Sequence, residues 1–528
     1  MQDKLITLLI LLPLLGAGIL LIIPARHKEI FRRGALLVTI LQLLIALSMV
    51  SRFQPGSAMQ LVEHRSWINM DLGTWGIWKA DYWVGVDGLS LPLILLSVVV
   101  LFFAALAARK IKFKQKGFFV LFLVLDAAVI GSFTAQDLLL FYLFFEFMLL
   151  PMYFMIGIWG GPRREYASMK FFLYTLFGSI LILIVFIGLY LSGSDPGSAS
   201  LTHTFGLPYL QDIARYTPGA VLSPDTPGTL GWFTWREWAF LLLLTGFAIK
   251  LPAVPLHTWL PDAHVEAPTA VSVLLAALLL KVGGYGIIRV AYPLFPAEAV
   301  HFSWLVAGLG VVSILYGAFN SLASKDLKRL IAYSSVSHMG FVLVGIASVT
   351  GSGVTGAVFQ MVSHGILSAM LFLLAGMLEE RTGNRLIENH SGLSSRLPHY
   401  TLFVLIAFFA SLGLPGFSGF IGELFVLLGA FTAATSTGYV SLTLAFAALG
   451  GLILAAGYFL WAIQRMFFGP FAIKADQVRL KDLTFFDVGL LLPLSLFTLV
   501  LGVYPQPLLN LINGFTVYWL QLMTTHQP

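Results

Sequence analysis

The 528-residue sequence contains no cysteine, and only 11% of its residues are charged. The absence of cysteine excludes disulfides, thiolate metal sites, cysteine-held iron-sulfur clusters and covalently attached c-type haem. We therefore expect no cofactor in this chain. The hydrophobic content is 58% and the mean hydropathy is +0.89. A soluble domain of this composition would aggregate, so the composition predicts an all-α polytopic membrane protein.

Apolar runs long enough to cross a bilayer recur along the whole chain. The fourteen predicted spans lie near 5–24, 34–50, 84–108, 117–133, 137–160, 168–193, 237–258, 267–292, 302–323, 329–349, 353–379, 400–432, 441–468 and 485–511. The last span could continue towards Leu522. The two longest loops, 51–83 and 194–236, are too short for a soluble catalytic domain.

Most of the 31 Lys and Arg residues fall in alternate loops, as expected if the number of spans is right. The residues of these loops are Arg26, Lys28, Arg32, Arg33, Arg109, Lys110, Lys112, Lys114, Lys116, Arg163, Arg164, Lys170, Lys325, Lys328, Arg329, Arg381, Arg385, Arg396, Arg465, Lys474, Arg479 and Lys481. The pattern predicts a bacterial inner (plasma) membrane location with both termini on the non-cytoplasmic side. The net charge of +6 is then a topology signal, and no nucleic-acid partner is expected.

Two predicted spans are interrupted next to an ionisable residue. The seventh has Pro252 and Pro255 just after Lys250, and the twelfth has glycines and Pro415 just before Glu423. Paired interruptions of this kind are typical of inverted-repeat transporters, whereas most membrane prolines are only packing kinks. We infer two five-helix repeats, near helices 4–8 and 9–13. The predicted divisions of the chain are 1–116, 117–292, 302–468 and 469–528.

Four charged residues stand out in the middle of predicted spans: Glu146, Lys250, Lys281 and Glu423. A charge at the centre of a membrane helix costs ~2.5 to 3.5 kcal/mol, so such residues usually face a protein interior or a hydrated pathway. We expect Glu146 to pair with Lys250, either as a switch that lets the lysine release its proton or as a static ion pair between two helices. Lys281 lies near mid-span, although its ammonium could instead reach an interface.

A proton pathway from Lys281 to Glu423 needs titratable groups between them, and the available ones are His338 and His364. Either histidine could instead be only a helix-packing hydrogen-bonding group. We rank Asp126 and Arg289 below these residues.

The segment around His257 and His264 also contains Asp262 and Glu266, so a metal site is conceivable there. We interpret it instead as a solvated polar turn between the seventh and eighth spans. The glycines of 351–356 match the spacing of a dinucleotide fingerprint but join two membrane spans, which argues against that function.

Several long motifs resemble the antiporter-like subunits of respiratory complex I and of the wider cation/proton antiporter superfamily. They are the flanks of Glu146 and the stretches Trp159–Tyr166, Lys170–Thr175, Lys250–His264 and Lys328–Gly340. The resemblance covers essentially the whole chain. Within the superfamily the chain is most similar to the M-type (chain 4) members, because Glu423 stands where the L- and N-type relatives usually have lysine.

The resemblance implies a proton-translocating membrane subunit of an NADH-quinone oxidoreductase. Glu146 and Lys250 would form the controlling pair, Lys281 and His364 would carry protons laterally, and Glu423 would be the exit-side group, with His338 in the same relay. Flavin, iron-sulfur clusters and quinone are expected in partner subunits. This chain itself is expected to contact L- and N-type subunits, lipids, protons and internal water. Three alternatives stay open: a cation/proton antiporter or membrane-bound hydrogenase subunit, a stand-alone solute transporter, and a structural scaffold.

Overall fold

The computed structural model describes residues 4–56, 59–71, 77–194, 203–226, 228–473 and 480–525. Within these residues, 13 helices are long and apolar enough to cross a membrane. The prediction of an all-α polytopic membrane protein is therefore confirmed. The seventh predicted span, 237–258, is not among the 13, because its helix has only 16 residues and ends at Lys250. The next helix begins at Trp259, beyond the predicted span.

The described residues form 22 α-helices. The first eleven are α1 (Leu5–Ile22), α2 (Lys28–Arg52), α3 (Ser90–Ala107), α4 (Gln115–Thr134), α5 (Leu138–Phe147), α6 (Leu149–Trp159), α7 (Arg164–Ser192), α8 (Leu207–Leu210), α9 (Trp235–Lys250), α10 (Trp259–Glu266) and α11 (Thr269–Leu274). The others are α12 (Leu280–Gly286), α13 (Tyr292–Leu294), α14 (Pro296–His301), α15 (Ser303–Ala323), α16 (Leu327–Ala347), α17 (Gly351–Thr382), α18 (Pro398–Ser411), α19 (Ser418–Ser436), α20 (Leu442–Phe467), α21 (Phe485–Val503) and α22 (Gln506–Thr525).

The described strands form three two-stranded antiparallel sheets. They are β1 (Gln60–Asp71) with β2 (Ile77–Val86), β3 (Thr229–Leu230) with β4 (Phe233–Thr234), and β5 (His390–Ser391) with β6 (Ala472–Ile473).

The first predicted interruption lies between α9 and α10. Proline at 252 and 255 removes backbone donors, and the residues between Lys250 and Trp259 form turns. Protein groups satisfy part of the freed backbone: Val254 N–H donates to Oγ of Ser313 at 2.9 Å, and the indole of Trp259 donates to the carbonyl of Ile249 at 2.9 Å. The break is therefore surrounded by protein, as a non-helical segment at membrane depth requires.

The second predicted interruption lies between α18 and α19. Gly413 and Gly416 have φ of +78° and +97°, a left-handed conformation that suits residues without a Cβ. The chain therefore turns at these glycines, and α19 begins at Ser418.

The centre of the molecule is the segment 269–294, which is buried at every residue from 270 to 294. It runs through α11, α12 and α13, joined by two π-helical turns at Leu275–Leu279 and Ile287–Ala291. Helices α16 and α17 pack against it and are buried over most of their length. By contrast, α1 and α2 expose large apolar residues, as expected for helices at the lipid-facing edge.

The long loop predicted at 51–83 contains a structured hairpin that the predicted fold class did not include. Strands β1 and β2 pair antiparallel, and the carboxylate of Glu63 accepts the backbone N–H groups of Ile6 and Thr7 at 3.0 and 3.1 Å. These hydrogen bonds satisfy free donors at the start of α1 and attach the hairpin to it.

The last predicted span is shorter than expected, because α21 ends at Val503 and a separate helix, α22, follows Pro505. The indole of Trp519 donates to the carbonyl of Ile288 at 2.8 Å, and the hydroxyls of Thr516 and Thr355 lie 3.1 Å apart. Helix α22 therefore packs across one end of the central helices. Lys474 and Arg479, two of the predicted basic-loop residues, lie outside the described residues.

Candidate functional site

Lys281 lies in α12, between the two π-helical turns, and is fully buried. Its ammonium group donates to the carbonyl of Ala276 at 2.5 Å and contacts Nδ1 of His364 at 2.8 Å. An ammonium has no acceptor, so Nδ1 of a neutral His364 accepts and the imidazole proton is on Nε2. One lysine proton is therefore shared directly with a second titratable group.

His338 and Glu423 form a second buried contact, with Nδ1 of His338 3.1 Å from Oε1 of Glu423. The ring centroids of His338 and His364 are 5.5 Å apart. Lys281, His364, His338 and Glu423 therefore follow one another through the protein interior, and we call these four residues the central row. All four are at most 5% exposed.

Several buried polar atoms along the central row have no hydrogen-bond partner among the described residues. They include Nε2 of His338, Oε2 of Glu423 and, next to them, Oε1 of Gln360. Buried polar groups without a protein partner are usually satisfied by internal water. Two glycines make room here, because a Cβ at Gly413 would collide with Oε2 of Glu423 and one at Gly422 with Oε1 of Gln360.

Lys250 is the last residue of α9 and is 2% exposed. Its ammonium lies 4.3 Å from the ring centroid of Phe145, a cation–π contact. Glu146, the next residue of α5, acts electrostatically on Lys250, but the two side chains are further apart than the 4.0 Å of a direct ion pair. Oε1 of the half-buried Glu146 has no hydrogen-bond partner among the described residues.

The Glu146–Lys250 pair lies beside the helix that carries Lys281. A Cβ added at Gly283 would collide with the backbone of Leu251 and Phe247, so α12 and the end of α9 are in close contact at a residue without a side chain. Of the six predicted site residues, the structure thus joins four in the central row and leaves two as an adjacent, looser pair.

The interpretation of the segment around His257 and His264 as a solvated turn was wrong. Residues Trp259–Glu266 form α10, and both histidines are at most 2% exposed with no partner for any ring nitrogen among the described residues. Asp262 is only partly buried, and its carboxylate accepts a hydrogen bond from the ammonium of Lys170 at 2.7 Å.

The physical reason is that the chain returns to a helix after the proline break and buries a further turn in the protein. Trp259, Leu260 and Ala263 are the signal that could have revealed this, because positions i, i+1 and i+4 lie on one face of a helix. Among the described residues, no group of three or more His, Asp or Glu side chains could hold a metal ion.

The two lower-ranked charges have other partners. Oδ1 of Asp126 accepts a hydrogen bond from the amide of Gln42 at 2.9 Å, between α4 and α2. Arg289 donates to both carboxylate oxygens of Asp87 at 2.5 and 2.6 Å. This bidentate pair joins the end of the central segment to the start of α3 and lies apart from the central row.

A family model described as NADH:quinone oxidoreductase/Mrp antiporter, TM, matches residues 135–449, more than half of the chain. The chain belongs to this family. The matched range contains all six predicted site residues, whereas the β1–β2 hairpin, α21 and α22 lie outside it.

Known proteins are similar to this chain over nearly their full length. The NADH-quinone oxidoreductase subunit M of Rhodobacter capsulatus is 40% identical over 98% of this chain and 97% of its own length. A chain of respiratory complex I from Thermus thermophilus with bound NADH has a TM-score of 0.80 at 33% identity, covering 98% of this chain and 99% of that chain. A chain of the Mrp complex from Dietzia sp. DQ12-45-1b has a TM-score of 0.81 at 22% identity, with 99% and 98% coverage, which shows a shared fold alone.

Proposed function

We propose that this chain is the M-type, proton-translocating membrane subunit of an NADH-quinone oxidoreductase. Full-length similarity to a subunit M at 40% identity supports the assignment to that complex. The single observation that carries the translocation function is the central row, four buried titratable residues in succession across the membrane-embedded core. Buried ionisable groups in membrane helices most often serve ion or proton pathways.

In this proposal a proton moves from Lys281 to His364, then to His338 and finally to Glu423. The contact of 2.8 Å allows direct transfer from the lysine to the neutral imidazole, whose Nε2 proton can then leave on the other side of the ring. No direct hydrogen bond joins the two rings among the described residues, although their centroids are only 5.5 Å apart, and Nε2 of His338 has no partner. Transfer between them would therefore pass through one water. Oε2 of Glu423, without a partner among the described residues, is the release point.

The Glu146–Lys250 pair acts as the control element. Because the two groups interact without a direct ion pair, a small change in electrostatic potential alters how strongly Lys250 holds its proton. Quinone reduction in a neighbouring part of the complex would supply that change. This chain transfers no electrons itself, and flavin, iron-sulfur clusters and quinone belong to partner subunits.

The remaining features of the proposal concern architecture and location. Residues 117–292 and 302–468 form the two inverted repeats, and each contains one of the two broken helices. L- and N-type subunits are the neighbours in a bacterial inner membrane. Both termini lie on the non-cytoplasmic side, a proposal supported by the collection of Lys and Arg in alternate loops of the sequence.

The test is replacement of Lys281 by methionine in the assembled complex reconstituted in liposomes. Methionine keeps an unbranched apolar side chain in the buried site but cannot carry a proton. Proton pumping and coupled quinone reduction should fall at least about tenfold, since a positioned proton-transfer group contributes ~10²-fold or more. NADH oxidation by an artificial electron acceptor should be unchanged.

The matched control is Glu29→Gln, which neutralises an exposed charge whose ion pair with Arg32 at 3.0 Å lies at the surface. This variant should pump like the native complex. Native pumping by an assembled Lys281→Met complex would contradict the proposal, and sodium-dependent transport without NADH oxidation would favour a cation antiporter.

A further inference from the structure

The central segment 269–294 runs from the basic loops to the opposite side of the protein. Its first residue, Thr269, lines one cavity together with the basic-loop residues Lys110 and Lys328. Arg289 is about 30 Å further along the segment, close to the thickness of the hydrocarbon core of a bilayer. Lys281 lies between them, so Arg289 marks the end of the segment away from the basic loops.

Arg289 belongs to a group of buried polar side chains with Asp87, Ser90 and Tyr285, which we call the Arg289 cluster. One guanidinium nitrogen donates to both carboxylate oxygens of Asp87 at 2.5 and 2.6 Å, and Nε donates to the hydroxyl of Tyr285 at 3.3 Å. The Tyr285 hydroxyl donates in turn to the carbonyl of Phe133 at 3.2 Å. Oδ1 of Asp87 also accepts the backbone N–H of Ser90 at 3.0 Å. All four residues of the cluster are at most 4% exposed.

The Arg289 cluster differs from the central row in how its hydrogen bonds are used. In the row, buried atoms of His338 and Glu423 have no partner among the described residues, which leaves places for internal water. In the cluster, every side chain has a partner among the described residues. Tyr285 is one turn from Lys281 on the same face of α12, so the cluster is next in line after the lysine along the segment.

The chemistry of these groups stops a chain of proton transfers. Such a chain needs groups that accept a proton on one side and release one on the other. The hydroxyl of Tyr285 has a single proton, which is donated to a backbone carbonyl, and its oxygen accepts from Arg289. A guanidinium has no acceptor and does not lose its protons in proteins. A proton that leaves Lys281 in this direction therefore cannot pass through the cluster.

Helix α22 covers the Arg289 cluster. The ring centroid of Phe515 lies 5.1 Å from the central carbon of the guanidinium. A Cβ added at Gly88, the first residue after Asp87, would collide with the carbonyl oxygen of Leu511, so α22 lies directly against the chain that carries the carboxylate. The ion pair is therefore enclosed by protein although it lies near the end of the segment.

We propose that the Arg289–Asp87 pair is a proton barrier at this end of the central segment. Asp87 balances the charge of the buried guanidinium, and the guanidinium repels an approaching proton and cannot pass one on. A proton on Lys281 then leaves sideways, through the 2.8 Å contact with His364. This inference rests on the proposed proton-translocating function and adds the pair that keeps the central row from leaking protons along the segment.

The first experiment combines Arg289→Gln with Asp87→Asn in the assembled complex reconstituted in liposomes. The two amides carry no charge but can hydrogen-bond to each other, and asparagine keeps an oxygen for the start of α3. Without NADH, an imposed pH gradient should decay at least about fivefold faster per complex than in native vesicles, because the repelling charge is gone. A pH-sensitive dye inside the vesicles measures the decay. Decay at the native rate would overturn the proposal.

Turnover separates a barrier from a pathway. With NADH, the double variant should reduce quinone at the native rate while it builds a smaller pH gradient. Variants of the central row should instead lose quinone reduction and pumping together. If the double variant loses quinone reduction and its imposed gradient decays at the native rate, the cluster conducts protons and the barrier is overturned.

The matched control is Arg236→Gln combined with Glu298→Gln. Nε of Arg236 donates to Glu298 at 2.7 Å, and the two side chains are 11% and 12% exposed. The pair is at the same end of the central segment, because Arg236 also donates to the carbonyl of Leu294 at 3.0 Å. It has no hydrogen bond to Tyr285 among the described residues, so the imposed gradient should decay at the native rate. An equal leak in both double variants would assign the effect to loosened packing and would overturn the barrier.

Arg289→Lys tests the barrier while keeping an ion pair with Asp87, and it covers the case in which the double variant does not assemble. Lysine, unlike arginine, can release a proton. The imposed gradient should therefore decay at least about twofold faster than in native vesicles. Native decay in an assembled Arg289→Lys complex would overturn the proposal.

Lys281→Met distinguishes failure of the barrier from failure of the proposed function. The decay of an imposed gradient is measured without turnover and does not depend on pumping. If Lys281→Met pumps normally, the proposed function itself fails. If Lys281→Met loses pumping while the Arg289→Gln and Asp87→Asn double variant holds its gradient like the native complex, only the barrier fails.

Discussion

The central row and the Glu146–Lys250 pair contain the same kinds of groups but are built differently. In the row, contacts of 2.8 and 3.1 Å connect residues on four helices, and every member is almost fully buried. In the pair, the carboxylate is half-buried and the ammonium contacts an aromatic ring at 4.3 Å. Short buried contacts favour proton transfer between neighbouring groups. In a loose pair, by contrast, a change in the local electrostatic potential can alter how strongly the lysine holds its proton.

The largest expected effect comes from interrupting the row at its midpoint. His364→Phe removes the one titratable group among the described residues that contacts Lys281 and also lies next to His338. Pumping should fall at least about tenfold with normal assembly, because no other titratable side chain joins these two residues along the described contacts. Proton uptake by reconstituted vesicles measures this. If the variant pumps within about twofold of the native rate, protons bypass the imidazole of His364.

A smaller loss, about fivefold, is expected from Lys250→Arg. Arginine keeps the positive charge and the contact with Phe145 but does not release a proton in proteins. If the pair controls transfer through lysine deprotonation, pumping per quinone reduced should fall. Native coupling in the arginine variant would instead identify the pair as a static link between α5 and α9.

Gly413→Ala should have a moderate effect on the exit end of the row. The residue has φ of +78°, and its new Cβ would collide with the carboxylate of Glu423. The left-handed conformation alone costs ~1 to 2 kcal/mol for alanine. The midpoint of thermal unfolding should fall and pumping should decrease. Gly438→Ala, at a positive φ with open space around it, is the control that separates backbone strain from the collision with Glu423.

The smallest effect concerns Asp137, which precedes α5 and accepts the N–H groups of Leu140 and Asp81 at 3.0 and 3.2 Å. Burial raises the pKa of Asp137 from 3.8 to about 6 despite these hydrogen bonds. Its contribution to stability is therefore fully present below the unfolded pKa and is lost as the pH rises through about 6.

Asparagine can still cap Leu140 through its single carbonyl oxygen, but it turns an NH2 group towards the N–H of Asp81. In Asp137→Asn the first turn of α5 should therefore be less stable than in the native chain below pH 3.8, and this difference should shrink as the pH rises through about 6. Asp137→Ala should lose a further ~1 kcal/mol relative to Asp137→Asn at every pH, because alanine has no capping oxygen. Amide hydrogen exchange of residues 138–142 in the purified complex measures this. The same pH dependence in native and asparagine forms would contradict the assignment.

Hydrophobicity and the placement of basic residues were enough to predict the membrane fold. The thickness of the bilayer sets the length of a span, and basic residues collect in the loops on one side of the membrane. The sequence also located both helix breaks, since proline and glycine act locally. It could not show the β1–β2 hairpin or the separate course of α22, which depend on contacts between distant residues such as Glu63 with Thr7 and Trp519 with Ile288.

The six site residues could be selected from the sequence because charge in an apolar run is conspicuous. The order of these residues in space could not be predicted, because His338 and His364 come together only through the packing of α16 on α17. His264 was misjudged for the opposite reason: its charged neighbours Asp262 and Glu266 made a buried helix resemble a solvent-exposed turn.

The π-helical turns on both sides of α12 have a mechanical consequence. A π-turn holds one residue more than an α-turn, so a π-turn that moved from one side of α12 to the other would rotate these seven residues by about 100°. Such a rotation needs no change in the length or position of the helical segments on either side of the two π-turns. Lys281 could in this way face different neighbours in successive steps of a cycle while the surrounding bundle stays fixed.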